Sequence, residues 1–153
     1  MEFKSRRNHF LASIISLLFF FSCSESGSEA PIVVLDAYLK KPLEGALSSA
    51  AYMSLKNSSD NKIKIKGLTC NKLLAEFHQT IIKDSGMMRM NKLNLLTVEP
   101  KSEITLEPGK EHIMLMGNSM SNKTEGLNCD LIIEDIDSLP PFKTVPVFFE
   151  IRN

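Results

Sequence analysis

The sequence predicts an all-β domain, and three features point there. Residues 62–66, Lys-Ile-Lys-Ile-Lys, alternate strictly between charged and apolar, the period of a strand with one buried and one wet face. Short runs of strand character recur from residue 32 to residue 151. Turn-forming clusters separate them: Asn57-Ser58-Ser59-Asp60, Asp84-Ser85-Gly86, Glu107-Pro108-Gly109-Lys110 and Pro140-Pro141. Many short strands at this spacing suggest a sandwich or a barrel.

The chain begins with an export signal. Lys4, Arg6 and Arg7 give a positive start, and residues 10–21 are almost wholly apolar. Twelve residues fall short of the roughly 20 needed to span a bilayer. The run ends in Phe20-Phe21-Ser22-Cys23. A small residue before a cysteine at this place resembles the bacterial lipobox, in which the cysteine becomes the lipidated first residue of the mature chain. Phe20 departs from the usual Leu, and the alternative is ordinary cleavage nearby without a lipid. Both readings export the protein, to a periplasm. Ser24 rather than Asp after Cys23 favours the outer membrane, by analogy with Gram-negative lipoproteins.

Residues 1–22 therefore read as signal, 23–30 as a polar tether, and 31–153 as one domain, long enough to bury a core unaided. Of 18 basic and 18 acidic side chains, the signal removes Lys4, Arg6, Arg7 and Glu2, leaving 15 against 17. That balance offers no basic patch for nucleic acid. With Cys23 acylated, Cys70 and Cys129 remain as an even pair in an oxidising space. They form a disulfide or stay as two buried thiols, and only their separation in space decides.

Strands are expected at 32–39, 50–55, 62–65, 73–80, 88–98, 102–106, 112–116, 127–134 and 144–151, with a helical turn as the alternative at 71–75. No internal repeat follows residue 30.

Methionine and histidine are the chemical oddity, eight and three of them in a chain without tryptophan. His9 leaves with the signal. His78 stands in Glu76-Phe77-His78-Gln79-Thr80, three sulfurs follow in Gly86-Met87-Met88-Arg89-Met90, and the last histidine opens His112-Ile113-Met114-Leu115-Met116. Residues two apart on a strand share a face, so His112 and Met114 can meet one ion, with Met116 a step further along. Ser85-Gly86 suggests a hairpin that brings His78 and Met90 together. Two imidazoles and two thioethers are neutral and soft, which suits Cu(I) rather than Zn(II), and hard cations would want oxygen. The competing reading is core packing, since methionine commonly fills gaps.

At these residues the sequence resembles the periplasmic copper chaperones called PCu(A)C, a cupredoxin-like family. Its pattern is a His, a Met, twenty-one residues and then His-x-Met; here residues 91–111 separate Met90 from His112, and Met114 completes the motif. Ala51-Tyr52-Met53-Ser54-Leu55-Lys56-Asn57 looks like the family's early strand, the stretch from Leu106-Glu107-Pro108-Gly109-Lys110 through Gly117 its most specific segment, and Val145-Pro146-Val147 its closing strand. The likeness spans about 32–151. One departure is that the eleven residues between His78 and Met90 are one more than usual, which the turn at Lys83-Asp84-Ser85-Gly86 can absorb, or else Met88 partly replaces Met90. Another is that no His/Met-rich tail follows Asn153, so no Cu(II) site of that kind is expected.

The resemblance implies a cupredoxin-like sandwich or barrel of mostly antiparallel strands, binding Cu(I) through His78, Met90, His112 and Met114, with Met88 and Met116 as auxiliaries. It implies transfer by ligand exchange to an acceptor, the oxidase Cu(A) subunit or a Sco-type protein, and no catalysis. The alternatives are a lipoprotein interaction module that binds no metal and, more weakly, a copper enzyme or electron carrier, which lacks the thiolate and carboxylates it would need.

Overall fold

The computed structural model describes residues 31–118, 120, 125–134 and 141–153. The signal, the tether and Cys23 lie outside the described residues, as does Pro140. Among the described residues ten strands run in chain order: β1 Ile32–Lys40, β2 Ser48–Asn57, β3 Ile63–Cys70, β4 Leu74–Ile82, β5 Met88–Leu93, β6 Leu96–Val98, β7 Glu103–Leu106, β8 Glu111–Met116, β9 Leu127–Glu134 and β10 Phe142–Arg152. Among the described residues there is no helix.

The strands form one folded-over sheet in the order β5-β4-β8-β2-β1-β10-β9-β3-β6, with β7 also on β2. All neighbours are antiparallel except β1 and β10, whose short parallel seam joins Tyr38–Lys40 to Glu150–Arg152. The seam divides the sheet into two layers. Ala51, Leu55, Phe77, Ile113 and Leu115 from one layer and Ile65, Leu131, Ile133 and Phe149 from the other meet in the core. The alternation at 62–66 survives as buried Ile63 and Ile65 between more exposed lysines. The expected all-β architecture is the one observed.

Two boundaries differ from expectation. The run 88–98 is two strands, because its halves serve different layers: Met88–Leu93 pairs with β4, and Leu96–Val98 with β3. The helical turn weighed at 71–75 is instead a tight reversal. Leu73 N donates to Cys70 O, Lys72 takes a positive φ of 56°, and β4 begins at Leu74. Pro146 sits inside β10, tolerated because over that stretch β10 has a hydrogen-bonding neighbour only in β9 among the described residues.

Cys70 and Cys129 face each other across β3 and β9 with Cα atoms 4.3 Å apart, joined by a disulfide. At the other end of the sandwich Asn57, 1% exposed, closes the turn after β2. Its Nδ2 donates to the carbonyls of Asn61, Val98 and Glu99, while its Oδ1 accepts from Ser59.

Gly126 enters β9 at φ +104°, where a Cβ would lie 2.5 Å from the Phe148 ring and 2.8 Å from the Phe149 carbonyl. Strain at such a backbone position alone costs about 1–3 kcal/mol. Gly126→Ala is therefore expected to lower the free energy of unfolding by at least that much, read by chemical denaturation; an unchanged value would show that the entry to β9 relaxes freely.

Candidate metal centre

The cluster is built on three adjacent strands, β5, β4 and β8. In antiparallel pairs, residues directly opposite share a face. His78 on β4 stands opposite His112 on β8, and Glu76 stands opposite Met114. On the other side of β4, Lys92 is opposite His78 and Met90 is opposite Thr80. His78, His112, Met114 and Met90 thus share the face turned away from the core, whose own side carries Phe77 and Ile113. The imidazole centroids are 6.0 Å apart.

The register explains how remote residues meet. The β4–β5 pairing is unbroken from Phe77–Leu93 to Ile82–Met88, so any additional residue between His78 and Met90 is accommodated in the loop. There Gly86 takes φ +77°, its N–H donates to Lys83 O, and Lys83 N donates to Met87 O. Met88, opposite Ile82, lies four residues along β5 from the position facing His78, and the structure does not bring it to the histidines. Met116, opposite Leu74 and Ser48, follows Met114 on the same face, half-buried.

Each imidazole has one nitrogen occupied from outside the pair. The Glu107–Lys110 turn, closed by Lys110 N donating to Glu107 O with Gly109 at φ +83°, leads straight into β8. The carbonyl of Lys110 then accepts from His112 Nδ1 at 3.0 Å. A carbonyl only accepts, so Nδ1 carries the proton, and in the neutral ring Nε2 keeps the lone pair. His78 Nε2 donates to Glu76 Oε2 at 3.1 Å. In the neutral ring Nδ1 then holds the lone pair, and this atom is buried with no hydrogen-bond partner among the described residues.

Glu76 is held by Lys92 on its other oxygen. That bond, and then the one to His78, keep its carboxyl below the usual carboxylate range. Glu76 and Lys92 were not singled out from sequence. The spacing Glu76-x-His78 was the available signal, since it puts both on one strand face.

Exposure grades across the cluster. His112 is 5% exposed, His78 is half-buried, and Met90 is 56% exposed. Among the described residues no three His, Cys, Asp or Glu side chains converge, so a metal here would need the thioethers. A depression of about 540 Å3 lies elsewhere, on β9 and β10 beside the disulfide; Thr69, Asn128 and Phe148 are among its walls, and it holds neither His nor Met.

Comparison with known proteins bears on both fold and family. A family model described as "Putative lipoprotein LpqE-like" matches residues 32–135. No curated protein sequence matches significantly. Among solved structures, the copper-bound PCuAC domain from PmoF2 is 22% identical, covering 80% of this chain and 95% of its own, with a TM-score of 0.60. The apo PCuAC domain from PmoF1 is 20% identical over 80% of this chain and 94% of its own, at 0.63. Apo-DR1885 from Deinococcus radiodurans is 25% identical over 86% of both chains, at 0.53. These likenesses show the fold, the cupredoxin-like arrangement of PCuAC domains.

Proposed function

The chain belongs to the LpqE-like family, and from that premise we propose that it is an exported, lipid-anchored carrier of Cu(I). The ion is held by His78 Nδ1, His112 Nε2, Met114 and Met90, with Met116 in reserve. One observation carries this reading: two facing histidines each have one nitrogen tied off, and the buried Nδ1 of His78 has no partner among the described residues. Such outer hydrogen bonds fix tautomer and ring orientation in metal sites. The neutral, soft donor set selects Cu(I) over Zn(II). The copper-bound state of the PmoF2 domain lends support, since the two chains share a fold.

Release proceeds by ligand exchange rather than by any acid–base step. Met90 is the most exposed of the four, so it is the first ligand an acceptor's own donor displaces. His112, the most buried, is the last. The acceptor is a copper protein of the export compartment, with the oxidase Cu(A) subunit or a Sco-type protein as the expected candidates.

The test is an anaerobic Cu(I) titration of the mature chain against a competing chelator. One tightly bound ion per chain, with weak binding of Cu(II) and Zn(II), is expected; failure to compete would reduce the cluster to packing. Glu76→Gln should weaken Cu(I) binding about 10–100-fold, the usual effect of losing an outer-shell partner. Affinity equal to the parent in that variant would show that the His78 ring is oriented without it. Cys23→Ala is expected to move the protein from the membrane to the soluble fraction, and retention on the membrane would overturn the anchor.

A further inference from the structure

The β4–β5 hairpin overhangs the sandwich. β8 begins at Glu111, opposite Gln79, and the last bond from β4 toward it runs from Thr80 N to Lys110 O. Beyond that point Ile81 and Ile82 pair, among the described residues, only with Arg89 and Met88. Every residue from 81 to 90 is exposed. The overhang bares Ile81, Ile82, Met87 and Met88, the last two at 63% and 70% exposure. Lys83 and Asp84, the one acid in the turn, stand at the apex between Ile82 and Met87, and Arg89 lies opposite Ile81. Apolar side chains interspersed with two basic ones match the boundary between acyl chains and anionic headgroups.

The position of this tip says which surface it meets. β1 is antiparallel to β2, with Ile32 opposite Asn57. β4 runs parallel to β2 through their shared neighbour β8. The hairpin tip and the start of β1 therefore lie at the same end of the sandwich, three strand spacings or about 15 Å apart across the sheet. Residues 23–30 connect that end to Cys23. Eight residues reach at most about 28 Å. A lipid on Cys23 thus tethers the chain from this end of the sandwich.

We propose that the β4–β5 hairpin tip is a second membrane contact, seating Ile81, Ile82, Met87 and Met88 in an anionic phospholipid surface while Lys83 and Arg89 meet the headgroups. This rests on the lipid-anchor reading above. A contact at the hairpin tip, about 15 Å from the start of β1, fixes an orientation that a single attachment cannot. Met90 follows Met88 by two residues, about 7 Å along β5, so the His/Met face is held just above the surface. An acceptor domain that is itself membrane-bound meets the exposed Met90 side first.

The sequence contains no tryptophan, so one introduced indole is a unique reporter. Met87→Trp is placed in the mature, lipidated chain and reconstituted into vesicles of phosphatidylethanolamine and phosphatidylglycerol, with and without brominated acyl chains. Leu43→Trp, exposed in the β1–β2 connection at the opposite end, is the control. With protein recovered in the vesicle fraction, a blue-shifted Met87→Trp emission quenched by bromine, beside an unquenched Leu43→Trp, is the expected result. Recovery with vesicles but water-like, unquenched Met87→Trp emission overturns the second contact and leaves the anchor standing. Quenching of Leu43→Trp instead assigns the membrane to the wrong end and overturns it equally. Failure to recover the chain with vesicles overturns the anchor reading, and this proposal with it.

Discussion

His112→Ala is expected to weaken Cu(I) binding by more than about a hundredfold, beyond the range of an outer-shell change. The residue is the most buried member of the cluster, and its ring is oriented by a carbonyl from the turn that also starts β8. Removing it leaves His78 facing a methyl group and strips the site of the nitrogen whose tautomer is set by the backbone. The fold should persist, because the side chain lies on the outward face while Ile113, its neighbour on β8, supplies the core. Competition with a Cu(I) chelator, read beside a denaturation curve, separates the two effects. Parent-like affinity would sink the assignment of His112 as a ligand. Met90→Ala provides the comparison: its exposed thioether should cost less affinity and speed release to an acceptor.

Much of this site is legible in the chain because a strand's period is short. His112 and Met114 share a face by spacing alone, and Ser85-Gly86 announces the hairpin that carries Met90 toward His78. The strand expected at 127–134 likewise stands there. What periodicity does not carry is the identity of a strand's neighbour. That His78 faces His112 depends on β4 choosing β8, a pairing across more than thirty residues that no local pattern encodes. The same limit explains 88–98. Its apolar residues read as one continuous strand, but the chain bends at Asn94 and Leu95 to leave one layer and join the other. The orphaned nitrogen of His78 is a matter of rotamer, set by Glu76, and Glu76 is set in turn by Lys92 from the next strand.

Removal of the disulfide by Cys70→Ala with Cys129→Ala is the second large expected effect, and it falls on stability rather than on copper. The bridged residues are 59 apart in sequence. Closing a loop of that size in the unfolded chain is worth about 4 kcal/mol on the chain-entropy scale. Against the roughly 5–15 kcal/mol that typically holds a domain together, that is a large share. Every candidate ligand, His78, Met90, His112 and Met114, lies inside this loop, yet the bridge itself sits on β3 and β9, in the other layer. The double variant should therefore unfold at much lower denaturant concentration while its Cu(I) affinity, measured under folding conditions, stays near the parent's. The alanine pair is the proper variant, because reduction alone would create thiolates, stronger soft ligands than thioethers, and confuse the titration. If the midpoint holds and copper affinity collapses instead, the bridge acts on the geometry of the site, and the division of labour between the layers is wrong. Bound copper should itself raise the midpoint of both proteins by mass action, more visibly in the weakened variant. A copper-dependent gain of similar free energy in parent and variant would place the ion's contribution in the β5-β4-β8 face, independent of the bridge.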